Sequence, residues 1–256
     1  MFWVVWDGSR ESFTLLTAVP LPGGTQPAGE RAPGGRATSA AMYWAPFVGL
    51  VLGAIAAGLL VACREGHTGP LLAAVLAIAV LAGLTRGLHL DGLADLADGL
   101  GSRKPAAEAL EIMQRSDIGP FGVATLALTL LIQTSALARA DSIGRGPIGI
   151  AAAAVAARLA IMLACRRGVR AARPTGLGAR VAGTVHPAIA AVLVLAALAV
   201  GAVLGWIYAI AIAISLVVSV GLTAWATRRL GGITGDVLGA VAEVTMAVAL
   251  LVTAIS

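Results

Sequence analysis

The chain has 256 residues, 59% of them hydrophobic and 12% charged, with a formal net charge of +5. Soluble domains carry roughly 25% charged residues, so the composition excludes a soluble globular protein and predicts an all-α, polytopic transmembrane bundle. In such a chain the positive excess is a topology signal, and no nucleic-acid partner is needed to explain it.

Residues 1–256 are expected to form a single integral membrane domain. Met1–Trp6 has no basic residue and Asp7 follows at once, so no cleavable signal is expected. Residues 2–19 are apolar but short for a crossing and predict an interfacial helix; 22–40, rich in Gly, Pro and Ala, predict a flexible loop, and the bundle proper begins at 44. Apolar runs approaching the roughly 20 residues that cross a bilayer follow at 44–63, 70–85, 119–138, 147–165, 187–204, 206–226 and 237–255, which makes about seven membrane helices, the second of them short. Gly49-x3-Gly53 in the first span and Gly201-x3-Gly205 in the fifth would allow close approach of helix backbones. Cys63 and Cys165 lie in apolar stretches and read as small core residues.

With the N-terminus inside, the inner segments hold fourteen Lys and Arg residues and the outer ones three, Arg64, Arg139 and Arg145. This positive-inside bias puts residues 86–118, 166–186 and 227–236 on the cytoplasmic side, so the polar site is expected to face the cytoplasm.

Between the second and third spans runs His89-Leu-Asp-Gly-Leu-Ala-Asp-Leu-Ala-Asp-Gly99. On a helix, Asp91, Asp95 and Asp98 fall within roughly 60° of one face. Carboxylates so close repel one another, and no Lys or Arg interleaves to pair with them, so a bound cation is the expected remedy. Mg²⁺ takes oxygen ligands and is commonly shared between carboxylates and substrate phosphates. His89 would point to the opposite side and serves equally as a packed or a catalytic histidine. Downstream, Glu108, Glu111 and Arg115 share a helical face, with Glu111 and Arg115 as an i,i+4 pair; Arg115 and Asp117 stand at the mouth of the third span.

Arg158 lies inside the fourth span, where it can snorkel to the inner interface or meet a buried acid or a substrate phosphate. Before the last span, Gly231-Gly-Ile-Thr-Gly-Asp236 places glycines and Thr234 at a helix start. Gly231, Gly232, Thr234 and Gly235 could offer backbone N–H groups to a phosphate, or Thr234 or Asp236 could simply cap the helix. Asp236 and Glu243 are seven apart and share a face, and an ionisable group inside a span is a functional candidate. Asp236 is expected close enough to the triad to share one site.

These features suit Mg²⁺-assisted transfer of an anionic phosphate group directly to an acceptor hydroxyl, since no nucleophile pairing stands out. The His89–Gly99 run also resembles the signature of the cobalamin synthase (adenosylcobinamide-GDP ribazoletransferase) family. The resemblance continues at Leu16-Thr-Ala-Val-Pro-Leu-Pro22, at Glu111-Ile-Met-Gln-Arg-Ser-Asp-Ile-Gly119, at Gly176-Leu-Gly178 and at Gly232-Ile-Thr-Gly-Asp-Val-Leu-Gly-Ala240, with Ala18 standing where many members have a basic residue. It implies transfer of the adenosylcobinamide phosphate from adenosylcobinamide-GDP to α-ribazole or its 5′-phosphate, with release of GMP and a need for Mg²⁺. On that reading Asp91, Asp95 and Asp98 hold the ion, Arg115 and Arg158 contact phosphates, and Asp236 holds a second ion or activates the hydroxyl. A CDP-alcohol phosphotransferase would carry an arginine where Asp95 stands, and a transporter would be expected to place its polar groups near the midplane.

Overall fold

The structure is a computed structural model describing Ser12 and residues 35–255. Residues 35–255 form ten helices: α1 (Gly35–Glu65), α2 (Pro70–Leu84), α3 (Leu88–Gly101), α4 (Ala106–Ile112), α5 (Pro120–Ser142), α6 (Gly146–Ala164), α7 (Leu177–Val181), α8 (Pro187–Leu204), α9 (Trp206–Leu230) and α10 (Gly235–Ala254). Among the described residues there is no strand, only isolated bridges joining Arg166 to Val185 and Ala171 to Ile233. The interfacial helix expected over 2–19 lies outside the described residues apart from Ser12, as does most of the loop expected over 22–40; Gly35 to Ala40 are instead the first residues of α1.

Helices α1, α5, α6, α8, α9 and α10 are each long and apolar enough to cross a bilayer, so this is a multi-pass membrane protein. The second expected span takes a different form. Helix α2 has only 15 residues, and the chain then turns through 89° into α3. The turn has a local cause: Arg86 and Gly87 both adopt left-handed backbone angles, φ 55° and 67°, while the Thr85 hydroxyl donates to Leu81 O at 3.0 Å and closes α2. Helix α3 therefore runs across one end of the bundle, touching the first turn of α10 with its own start and the first turn of α5 with its own end.

Small residues set the packing, as they must where lipid is as apolar as the side chains. A Cβ at Gly49 would stand 2.6 Å from Ala154 O, and one at Gly53 2.7 Å from Ala151 Cα, so the first glycine pair lets α1 lie directly on α6. Gly201 does the same between α8 and α9, while Gly205, with φ 151°, is the break between them. Helix α10 is the centre, packed on α3, α5, α6 and α9, whereas α8 turns most of its surface outward.

The two ends of the bundle differ in chemistry. At one end polar groups pair off: Arg64 reaches Asp141 at 2.7 Å, and Arg145 donates to Ile255 O. The other end gathers α3, α4, α7 and the turn before α10, where Arg173 donates to Leu110 O at 2.6 Å and Arg229 to Lys104 O at 3.4 Å. The aspartate-rich run lies at this second end.

Candidate functional site: a crossing of two glycine-bearing helices

Two glycines bring distant parts of the chain together. A Cβ at Gly92 would stand 2.8 Å from Asp236 Cα and 2.9 Å from Asp236 O; one at Gly239 would stand 3.0 Å from His89 O and 3.3 Å from Gly92 Cα. Helices α3 and α10 thus cross backbone to backbone, and this sets Asp236 beside the face of α3 that carries Asp91 and Asp95.

The triad divides. Asp98 turns away to the start of α5, where its two carboxylate oxygens accept from Gly119 N at 2.7 Å and Gly122 N at 2.9 Å. It supplies from a distance the cap that Gly119, lacking a side chain, cannot, and its charge suits the positive end of the helix. Glycine is needed at both positions, since a Cβ on either would meet an Asp98 oxygen at 2.4 Å. Asp91 and Asp95 are left facing the site, Asp91 exposed and Asp95 half-buried. Burial, and then the neighbouring charges of Asp91, Asp236 and Asp98, push the Asp95 carboxyl up from 3.8 to about 7, against a smaller opposing pull from Arg173. Among the described residues, no three Asp, Glu, His or Cys side chains stand ready-gathered as a metal cage.

The turn before α10 is built for packing. Gly231 ends α9 with φ 82°, and Gly232 lets the 170–172 segment pass, since a Cβ there would stand 2.4 Å from Ala171 C. Ile233 N donates to Arg170 O at 2.8 Å, which takes up that amide, while Gly231 and Gly232 line a separate cavity with Arg166, Arg170 and Arg228. Thr234 is the cap of α10, accepting from Val237 N at 3.2 Å, and its hydroxyl donates to Asp236 Oδ2 at 3.1 Å. Asp236 is therefore free of capping work. Among the described residues, its one cationic neighbour within ion-pair distance is Arg173, at 3.7 Å.

Two open cavities flank α3. One, about 320 Å³, lies towards α7 and α10 and is lined by Arg173, Thr175, Leu177, Gly235 and Asp236. The other, about 590 Å³, lies towards α5 and is lined by Arg86, Asp95, Arg115, Ser116 and Asp117. Asp91 lines both. Arg158 and Glu243 line neither. They share a narrow space of about 20 Å³ behind His89, room for about one water, where Gln133 donates to Glu243 Oε2 at 2.8 Å. Arg158 Nε and Gln133 Oε1 have no hydrogen-bond partner among the described residues. In this geometry Arg158 stands apart from the two cavities that Asp91 lines. His89, buried, lines both this narrow space and the α7-side cavity.

The expected Glu111–Arg115 pair does not form among the described residues, because α4 ends at Ile112 and Arg115 leaves the helical face; Glu108 pairs with Lys104 instead, at 3.2 Å. Sequence reasoning passed over Arg173, Thr175 and Arg86 as ordinary inner-side residues. The Arg173-Pro-Thr-Gly176 run, polar and turn-forming beside Gly176-Leu-Gly178, was the available signal.

Comparison with known proteins adds the family context. The family described as cobalamin-5-phosphate synthase matches residues 8–254. A Frankia casuarinae protein named adenosylcobinamide-GDP ribazoletransferase is 43% identical, over 97% of this chain and 94% of its own. Proteins of the same name from a Nocardioides species and from Chlorobaculum tepidum are 36% and 38% identical, each over 95% or more of both chains. No solved structure matches the chain.

Proposed function

The chain belongs to the cobalamin-5-phosphate synthase family, and from that membership and the acidic site between two cavities we propose that it is an adenosylcobinamide-GDP ribazoletransferase. It transfers the adenosylcobinamide phosphate group to α-ribazole or its 5′-phosphate, giving adenosylcobalamin or its 5′-phosphate and releasing GMP, the last assembly step of cobalamin biosynthesis. The observation that carries the reading is Asp91, exposed between two cavities, with Asp95 on one side and Asp236 on the other.

Mg²⁺ is the proposed cofactor, and the donor set fits it. The donors are carboxylate oxygens; burial and then the charges of Asp91, Asp236 and Asp98 raise Asp95, and a dication would relieve that repulsion. Asp91 and Asp95 would hold the ion, with substrate phosphate completing the set, which accounts for the lack of a ready-made cage. When bound, it would offset the negative charge on the diphosphate. Arg115 contacts the phosphates from the α5 side. The ribazole hydroxyl oxygen bonds to the phosphorus on the cobinamide side; the bond from that phosphorus to the bridging oxygen breaks and its electron pair leaves with GMP. Asp236 takes the hydroxyl proton, held in place by the Thr234 hydroxyl and Arg173. Arg158, Glu243 and His89 support the crossing from behind.

The reading is tested by product formation from adenosylcobinamide-GDP and α-ribazole in purified protein, with and without Mg²⁺, across pH. Below about 7 Asp95 takes up a proton and ceases to be a ligand, so the Mg²⁺ concentration giving half-maximal rate should rise about tenfold per pH unit, as for one displaced proton. The linked stability has the opposite sense to that of a salt-bridged acid. Without divalent ion, the contribution of Asp95 to stability is greatest below the ordinary carboxylate range and is lost as pH rises to about 7, where Asp95 ionises in its buried, acidic surroundings. Chelator-insensitive product formation would remove the metal, and no product at all would remove the enzyme assignment.

The site is placed on the cytoplasmic side of the bacterial inner membrane, supported by the fourteen-to-three distribution of basic residues. A Lys104→Cys variant should resist an impermeant thiol reagent applied to intact cells and react once the cells are opened. Labelling in intact cells would invert the orientation.

A further inference from the structure

The two cavities beside α3 differ in chemistry, and we infer that they are separate subsites: the α5-side cavity takes the guanosine diphosphate end of the donor, and the α7-side cavity takes the ribazole acceptor. This rests on the proposed reaction, which needs two substrates to meet at one phosphorus.

The α5-side cavity is the larger, about 590 Å³. Arg86 and Arg115 line it, and neither guanidinium is in an ion pair among the described residues. Two unpaired guanidiniums beside Asp91 and Asp95 suit a diphosphate, whose oxygens they bind in fork geometry. Asp117, exposed on the same wall, offers carboxylate oxygens that accept hydrogen bonds. Guanine is the common base that offers a carboxylate two adjacent donors, its ring N–H and its 2-amino group, so Asp117 is assigned the guanine edge.

The α7-side cavity, about 320 Å³, is at the small end of ligand sites. Met42, Ile161, Leu177, Val181 and Leu238 supply much of its wall; Arg173, Thr175 and Asp236 bring polar groups from the 173–176 loop and the start of α10, and His89 and Asp91 bring them from α3. An apolar enclosure with a few polar groups fits a flat apolar base carrying a ribose, and Arg173 fits the optional 5′-phosphate. Asp91 is common to both cavities, so the attacked phosphorus is assigned to its side chain.

The test is steady-state kinetics of the full-length protein with both substrates, plus inhibition by GMP and IMP, which differ by the 2-amino group. Asp117→Asn lies on an exposed loop and leaves the core untouched. It should raise KM for adenosylcobinamide-GDP about tenfold, leave KM for α-ribazole unchanged, and abolish the preference for GMP over IMP, a preference of at least about tenfold in the wild type from one hydrogen bond to a charged group. Thr175→Phe, also on exposed backbone, should fill the other cavity and raise KM for α-ribazole alone. A swapped pattern, equal shifts in both constants, or an unchanged GMP preference in Asp117→Asn would overturn the assignment. A wild-type protein that forms no cobalamin product fails at the proposed reaction, and GMP binding then still reads the nucleotide subsite.

Discussion

Asparagine at Asp91 or Asp95 should abolish most turnover and leave the fold as stable as before or more so, whereas asparagine at Asp98 should unfold the protein more readily. The three residues look equivalent in sequence, but their surroundings are opposed. Asp91 is exposed, and Asp95 is held among like charges. Neutralising either removes repulsion together with a hard ligand, so the rate should fall about a hundredfold or more, the scale of losing one charge-stabilising group. Asp98 instead satisfies two amides at the start of α5, at 2.7 and 2.9 Å. Asparagine keeps one acceptor and loses the charge, which should cost about 1.5–3 kcal/mol, the range for a hydrogen bond to a charged group. Thermal unfolding in detergent and initial rates at saturating Mg²⁺ separate the two effects. A destabilised Asp95→Asn protein, or an Asp98→Asn protein that is stable but dead at every Mg²⁺ concentration, would reverse the roles assigned here.

That division shows where the sequence stops being informative. Spacing of i, i+4, i+7 fixes which helix face the aspartates share, and α3 is indeed helical over all three. It carries no record of what lies opposite, and the start of α5 that captures Asp98 is 21 residues away, beyond any local pattern. Hydropathy located the spans closely because burial in lipid acts on every residue of a run; the 187–204 span is observed with those bounds. It missed the 89° turn before α3, which depends on left-handed backbone at Arg86 and Gly87 and not on polarity. Arg158 and Glu243 were legible as buried ions that could meet, but not as groups set behind His89, because depth in a helix does not say which side of a neighbour a group lies on. Arg173 was hidden for the opposite reason: in a basic loop one arginine looks like the next, and its 3.7 Å approach to Asp236 is visible in the structure alone.

Enlarging Gly92 should damage catalysis far more than stability. A Cβ there would stand 2.8 and 2.9 Å from backbone atoms of Asp236, which cannot rotate aside, so α3 and α10 must separate. Overpacking of this kind costs about 1–3 kcal/mol. Displacement of about 1 Å between groups that must act together costs about a hundredfold in rate, and here it falls between Asp91 and Asp236. Gly53→Ala is the matched control, since its Cβ would stand 2.7 Å from Ala151 Cα at the α1–α6 contact, away from both cavities. Gly92→Ala and Gly53→Ala should therefore lose similar thermal stability, with the large drop in kcat confined to Gly92→Ala. Gly239→Ala should be intermediate, because its nearest contacts, His89 O and Cα, lie at 3.0 and 3.1 Å and need give only a few tenths of an ångström. If Gly92→Ala kept wild-type kcat while melting lower, the crossing would be a packing contact alone, and Asp236 would have to be withdrawn from the reaction.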